Sequence, residues 1–196
     1  MSYIIVGLGN PGEEYEKSRH NLGRIVLEYF RKKSDFSEWE ESKKNRGLVS
    51  NGKIGKSKVV LLEPETFMNK SGLSVKSLIT SKKKAEKLVV IYDDLDLSIG
   101  EIKISFNKGT GGHRGLESIA KNVKTKEFVR VRVGISQATP TGKLRKPKGE
   151  QKTLDYLMGD FNKKDLGILK KLKPKIIQAL ETTIVEGRQK AMNLFN

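Results

Sequence analysis

Residues 3–8, YIIVGL, form a short unbroken run of β-branched, aromatic and aliphatic side chains, the composition of a strand buried in a sheet. The run feeds directly into residues 7–21, GLGNPGEEYEKSRHN. There the glycines permit φ > 0, Pro11 fixes φ, and the amide of Asn10 is held beside bare backbone. The stretch also carries His20, one of only two histidines in the chain. A buried strand that exits into such a turn predicts an α/β fold with an active-site rim at the strand's carboxyl end.

Gly7, Gly9 and Gly12 also spell G-x-G-x-x-G after a strand, so a dinucleotide-dependent oxidoreductase is one reading. That fingerprint opens a helix at the third glycine, whose free N–H groups face a pyrophosphate. Here Pro11 removes a donor, and Glu13, Glu14 and Glu16 place carboxylates where phosphate would lie. The position about 20 residues on, where a ribose-binding acid should end a second strand, falls in a helical pattern near Glu28. No cofactor is expected.

The remaining chain alternates strands and helices. Leu22, Ile25, Val26, Tyr29 and Phe30 recur at helical spacing, with Arg24, Glu28, Arg31 and Lys32 on the other side. Residues 48–54 and 58–63 read as a hairpin, ended by Pro64. Residues 65–70, ETFMNK, break the period at a strand exit. Phe67 and Met68 there either plug the core or wall a ligand pocket beside Asn69, and a helix is predicted over 71–81. Residues 88–92, LVVIY, are the most apolar strand, with Asp93, Asp94 and Asp96 after it. Residues 101–107 alternate as a strand, and 108–115, KGTGGHRG, form a second glycine-rich loop carrying His113. A helix over 116–123 and a strand over 128–135, FVRVRVGI, follow, the strand with a cationic face of Arg130 and Arg132. A short helix over 163–173 and a final one from Pro174 to about Met192 close the chain. No internal repeat divides the sequence, so 196 residues are expected to form one domain.

Charge narrows the partners. The chain holds 39 Lys plus Arg against 23 Asp plus Glu, a net +16, which favours polyanions. Clustered charge says more than scattered lysines, and residues 143–152, KLRKPKGEQK, hold five basic residues and one acid. With no cysteine, disulfides, thiolate catalysis and cysteine zinc sites are excluded. No apolar run reaches the ~20 residues of a membrane span. The N-terminus lacks a signal-peptide layout, so a cytoplasmic protein is expected.

The acids after residues 88–92 suit a divalent metal or an ordinary turn. No histidine lies nearby in sequence and no second carboxylate cluster appears, so no metal is expected, and orienting a histidine is the better use. An imidazole can take a proton from water, a carboxylate on its far nitrogen holds the tautomer, and asparagine N–H groups can bind an oxyanion. The reaction class is hydrolysis of an activated ester or phosphoester on a nucleic acid.

The motifs GLGNPGEEYEKSRHN, PETFMNKSG, YDDLDL, KGTGGHRGLESI, VRVGI, DYLMGDF and EGRQKAMNLFN together resemble the bacterial-type peptidyl-tRNA hydrolases, almost end to end. The resemblance implies a monomeric single domain over residues 1–196, a three-layer αβα fold with a twisted mixed sheet. It implies cleavage, without a metal, of the ester joining a peptide to the 3′ end of tRNA, with the acceptor stem also bound. His20 matches the general base and Asp93 its orienting carboxylate. Asn10 matches an amide that separates blocked from unblocked aminoacyl ends. Tyr15, Phe67 and Asn69 match holders of the 3′ terminus and peptide, Met68 a pocket wall, His113 a histidine behind the reacting groups, and Arg132 a phosphate grip. The alternative is a noncatalytic RNA-binding protein on the same scaffold.

Three positions depart from that pattern. Arg114 replaces the asparagine that usually follows the second histidine, and a guanidinium cannot accept a hydrogen bond. Ser105 replaces a second phosphate-gripping lysine, with Lys103 and Lys108 as candidate substitutes. Residues 136–152 are an unusually basic version of the loop before DYLMGDF, which predicts extra contact with the tRNA backbone.

Overall fold

Successive residues of the central strands point into two different cores, one on each side of a sheet. The computed structural model describes residues 2–196. In β1 (Ser2–Gly7), Tyr3 and Ile5 enter the first core while Ile4 and Val6 enter the second. In β5 (Leu88–Ser98), Val89 and Ile91 part in the same way from Leu88 and Val90. This period of two, with both faces apolar, is what a strand covered by helices on each side requires.

The other strands are β2 (Glu40–Ser42), β3 (Gly47–Ile54), β4 (Ser57–Pro64), β6 (Ile102–Phe106), β7 (Val129–Ala138) and β8 (Leu144–Arg145). Their order is β2-β3-β4-β1-β5-β7-β6, with β8 paired to β7. Pairings β1–β4, β1–β5 and β5–β7 are parallel and the rest antiparallel. Helices α1 (Leu22–Lys33), α6 (Lys163–Val185) and α7 (Arg188–Phe195) cover the first core. Helices α2 (Ser71–Lys76), α3 (Lys82–Ala85) and α4 (Arg114–Val123) cover the second, and α5 (Glu150–Met158) follows the basic loop. The fold is the expected single-domain, three-layer αβα arrangement around a mixed sheet.

Some boundaries differ from the sequence reading. The helix expected over 71–81 ends at Lys76, and Ser81, in an extended conformation, caps a new helix, its Oγ accepting from Lys84 N–H at 3.3 Å. The strand expected to stop at Tyr92 runs on to Ser98, so the three aspartates lie within it. Nor does Pro174 start a helix. It sits inside the continuous α6, where Leu172, Ile176, Ala179, Leu180 and Ile184 are buried. Burying such side chains contributes about 1.5–3 kcal/mol for each large one, which together exceeds the roughly 3 kcal/mol cost of an interior proline. The break comes at Gly187, with φ at 95°, where the N–H groups of Glu186 and Gly187 both reach Thr182 O.

One region of the second face lacks apolar cover. There β7 presents Arg130 and Arg132, opposite Ser105 and Lys103 of β6 in register. A cleft of about 870 Å³ opens over this end of the sheet.

Candidate active site

His20 lies in a 3₁₀ turn (Arg19–Asn21) that leads into α1. Its approach to the strand ends depends on Gly23, where a Cβ would come within 2.4 Å of both Ile91 O and Leu8 N. At that separation Nδ1 of His20 is 3.0 and 3.1 Å from the two carboxylate oxygens of Asp93. His113 reaches the same carboxylate from the other side, Nε2 lying 3.2 Å from Oδ1, and the two imidazole centroids are 5.0 Å apart. Asp93 is 3% exposed. Burial by itself would raise its carboxyl, but the two imidazoles facing it outweigh burial and hold it below the usual carboxylate range.

Hydrogen bonding fixes the second histidine's tautomer. His113 caps α4, and its Nδ1 accepts from Gly115 N–H at 3.2 Å and Leu116 N–H at 3.4 Å. An accepting Nδ1 puts the ring proton on Nε2, where it donates to Asp93. With Nδ1 of His20 donating to the same carboxylate, Nε2 of His20 is the ring nitrogen left to take a proton. Ligand atoms of His20, Asp93 and His113 lie within 4.8 Å of one another, a spacing a metal ion could use. The capping bonds instead make His113 Nε2 a proton donor, unlike the unprotonated nitrogen a metal needs.

Asn10 is held from several directions. Its N–H donates to Asn21 Oδ1 at 2.8 Å, and Asn21 Nδ2 donates back to Asn10 O at 2.9 Å. Its side-chain Oδ1 accepts from Met68 N–H at 2.8 Å, and among the described residues the Nδ2 donor has only Met158 Sδ, at 3.9 Å. The neighbours expected to line a pocket part company: Met68 is buried, whereas Phe67 is 57% exposed. Met68 packs on the start of α4, where a Cβ on Gly115 would fall 2.5 Å from its sulfur. Asn69 is exposed in the 3₁₀ turn after Phe67 (Met68–Lys70), and Tyr15 is half-buried in another (Glu13–Tyr15). The cleft lining includes His20, Asp93, His113, Arg114 and Arg132 but not Asn10, Tyr15, Phe67, Met68 or Asn69.

The cationic face expected on β7 is only half present. Arg132 lines the cleft with its Nε donating to Asp94 at 2.7 Å. Arg130 is fully buried, stacked 4.7 Å over Phe128 and donating to Gly109 O at 2.6 Å. It therefore anchors the second glycine loop instead of presenting charge to solvent. Arg114 is exposed at the cleft mouth and pairs with Glu150 at 2.7 Å. Lys146 of the basic loop pairs with Asp96 at 2.5 Å. Lys103 and Lys108 also line the cleft, and Ser105 is buried in its wall.

Helix α5 and Arg19 were given no role by the sequence. Arg19 donates to Tyr156 O and Gly159 O at 3.2 and 3.0 Å and stacks 4.4 Å over the Tyr156 ring. It thereby fastens the His20 turn to the end of α5, while Leu154 and Leu157 of that helix line the cleft. The motif DYLMGDF marks the segment, but contacts spanning about 140 positions leave no local periodicity to read.

Nearly the whole chain is similar to known proteins. A profile of the family described as Peptidyl-tRNA hydrolase matches residues 4–196. A relative from Lachnoclostridium phytofermentans, named peptidyl-tRNA hydrolase, is 36% identical over 195 residues, covering 99% of this chain and 96% of the relative. One of the same name from Pseudothermotoga lettingae is 37% identical over 195 residues, covering 98% and 96%. A crystal structure of peptidyl-tRNA hydrolase from Acinetobacter baumannii superposes with a TM-score of 0.86 at 29% identity, covering 99% of this chain and 94% of that one.

Proposed function

The chain belongs to the peptidyl-tRNA hydrolase family, whose members hydrolyse the ester between peptide and tRNA, and from that premise we propose that His20 drives the attack of water on the ester. The observation that carries this reading is the Asp93 carboxylate shared by two imidazoles on the wall of a basic cleft. Nε2 of His20 takes a proton from water as its oxygen bonds to the ester carbonyl carbon, and the C=O electrons move onto oxygen. The tetrahedral species collapses by expelling the terminal ribose oxygen, which leaves with the proton held on Nε2. Asp93 keeps its charge throughout, stabilising the imidazolium as it forms.

The other residues serve binding. Asn10 Nδ2, held outward by the Met68 bond, donates to the blocked end of the substrate, and the Asn69 amide stabilises the developing oxyanion. Phe67 and Tyr15 offer rings on which the terminal bases stack. Arg132, Lys103 and Lys108 meet phosphates of the acceptor stem, and Arg114 adds a donor at the mouth. The reading is of a monomer acting in the cytoplasm, where its substrate arises. No helix among the described residues is long and apolar enough to cross a membrane.

The test is single-turnover hydrolysis of an N-acetylated aminoacyl-tRNA by the His20→Ala variant. The rate should fall by at least about 10³-fold, within the usual range for loss of a general base, with tRNA affinity and Tm nearly unchanged. Retained turnover would remove the mechanism.

A further inference from the structure

A second charge cluster, with Glu63 buried and Glu65 at the surface, lies outside the cleft, behind Asn10. Arg24, on the first turn of α1, uses each of its three nitrogens. Nε donates to Glu63 Oε2 at 3.1 Å, Nη2 meets Glu65 Oε1 at 2.5 Å, and Nη1 donates to Asn10 O at 3.1 Å. The stem of Arg24 lies against Gly9, where a Cβ would come within 2.6 Å of Arg24 Cδ. Glu63, at the exit of β4, is 6% exposed.

The partners of Arg24 belong to two separate walls. Asn10 is in the first glycine turn, while Glu63 and Glu65 flank the strand exit that delivers Phe67, Met68 and Asn69. The geometry points to Arg24 as a positioning residue that fixes the Asn10 amide against the Phe67–Asn69 wall and so sets how well the site separates blocked from free aminoacyl ends. A guanidinium has five donors in a rigid fork, so it can hold two carboxylates and a carbonyl in one fixed arrangement. Asn21 clamps the same carbonyl from the other side. Between them the two donors hold the Asn10 carbonyl, and with Oδ1 bonded to Met68 N–H its Nδ2 stays aimed away from Met68. Arg24 bonds the Asn10 carbonyl, and Asn10 Oδ1 in turn bonds Met68 N–H of the facing wall, so the effect passes through Asn10.

This inference rests on reading Asn10 as a substrate-contacting amide, and the experiment separates the two. Hydrolysis of N-acetylated and free aminoacyl-tRNA is measured for Asn10→Ala, Arg24→Met, Arg24→Lys and the double variant Arg24→Met/Glu63→Met. Arg24→Met keeps the stem over Gly9 and removes every donor. Expected are an approximately tenfold fall in kcat/KM for the blocked substrate, a matching fall in the blocked-to-free ratio, and partial recovery with Arg24→Lys. The double variant removes the buried Glu63 carboxyl group that has lost its guanidinium partner and should regain Tm without regaining the ratio. A ratio that returns together with Tm would reduce Arg24 to a structural role and overturn the inference. So would an unchanged ratio in Arg24→Met beside a lowered one in Asn10→Ala. An unchanged ratio in Asn10→Ala would overturn the reading of Asn10 itself, and the inference with it.

Discussion

Nε2 of His113 lies 3.2 Å from Oδ1 of Asp93, the oxygen that also accepts from His20. One carboxylate thus orders two imidazoles, and its substitution should cost far more than loss of the second ring. In Asp93→Asn the side-chain amide can donate to Nδ1 of His20, moving that ring's proton to Nε2, where it blocks proton uptake from water. The expected loss in single-turnover rate is about 10²–10⁴-fold. For His113→Ala the expected loss is about tenfold, together with roughly 1 kcal/mol of stability from the uncapped α4. Equal losses at both positions would show that His113 does more than hold the carboxylate.

The basic loop should be visible in the salt dependence of tRNA binding. Each cation neutralising a duplex phosphate contributes about 0.9 to the slope of log K against log salt. Lys143, Arg145 and Lys148 are exposed, so removing all three charges should flatten the slope by roughly 2–3. Lys146 is already paired with Asp96, and its loss should change the slope less than any of the other three. Four equal effects, or none, would contradict an interface built on this loop.

Arg114 and Glu150 are both well exposed, at 58% and 84% of their side chains. Such a pair contributes at most about 1 kcal/mol to folding, so its value here is at the cleft mouth. Glu150→Gln frees the guanidinium and removes a carboxylate from the path of the phosphates. tRNA affinity should tighten by about threefold at low salt, and the gain should vanish when the Debye length falls to ~3 Å near 1 M. Arg114→Ala should leave folding stability within about 1 kcal/mol of wild type while weakening tRNA binding. Filter binding at two salt concentrations distinguishes the variants.

Much of this arrangement could be read from the chain because its signals are local. Residues 3–8 and 88–92 are apolar on both faces, and the segment after the first strand carries Asn10 and His20 ten positions apart. Contacts made across the fold were harder to read. Asp93 meets His20 over 73 positions, and Arg24 meets Glu65 over 41. The alternation in residues 128–135 places Arg130 and Arg132 on one side correctly. It cannot say that Arg130 is buried against Phe128 and the second glycine loop while Arg132 stays partly exposed in the cleft. Pro174 misled for the related reason that a local helix breaker loses to a long buried stripe, and Gly187, with its positive φ, was the true end.

Glu63 gives the protein a stability that falls as pH rises toward neutrality. Burial above all pushes its carboxyl up from an ordinary value near 4.5 to about 7, with Glu28 and Glu65 adding to the rise and Arg24 opposing it. Between those values the folded chain holds a proton that the unfolded chain has released. The contribution is therefore fully present below about pH 4.5, is lost as pH climbs to about 7, and changes no further above that. At 1.36 kcal/mol per unit the whole swing is roughly 3 kcal/mol, or about 6–12 °C in Tm for a chain of this length. Glu63→Gln keeps an acceptor for Arg24 and cannot titrate, so its Tm should lose less between pH 5 and 7 than the wild type's does. Melting curves at half-unit pH steps measure the difference between the two proteins. Parallel curves would mean that Arg24 keeps Glu63 ionised through the whole window, and the burial-driven rise would be refuted.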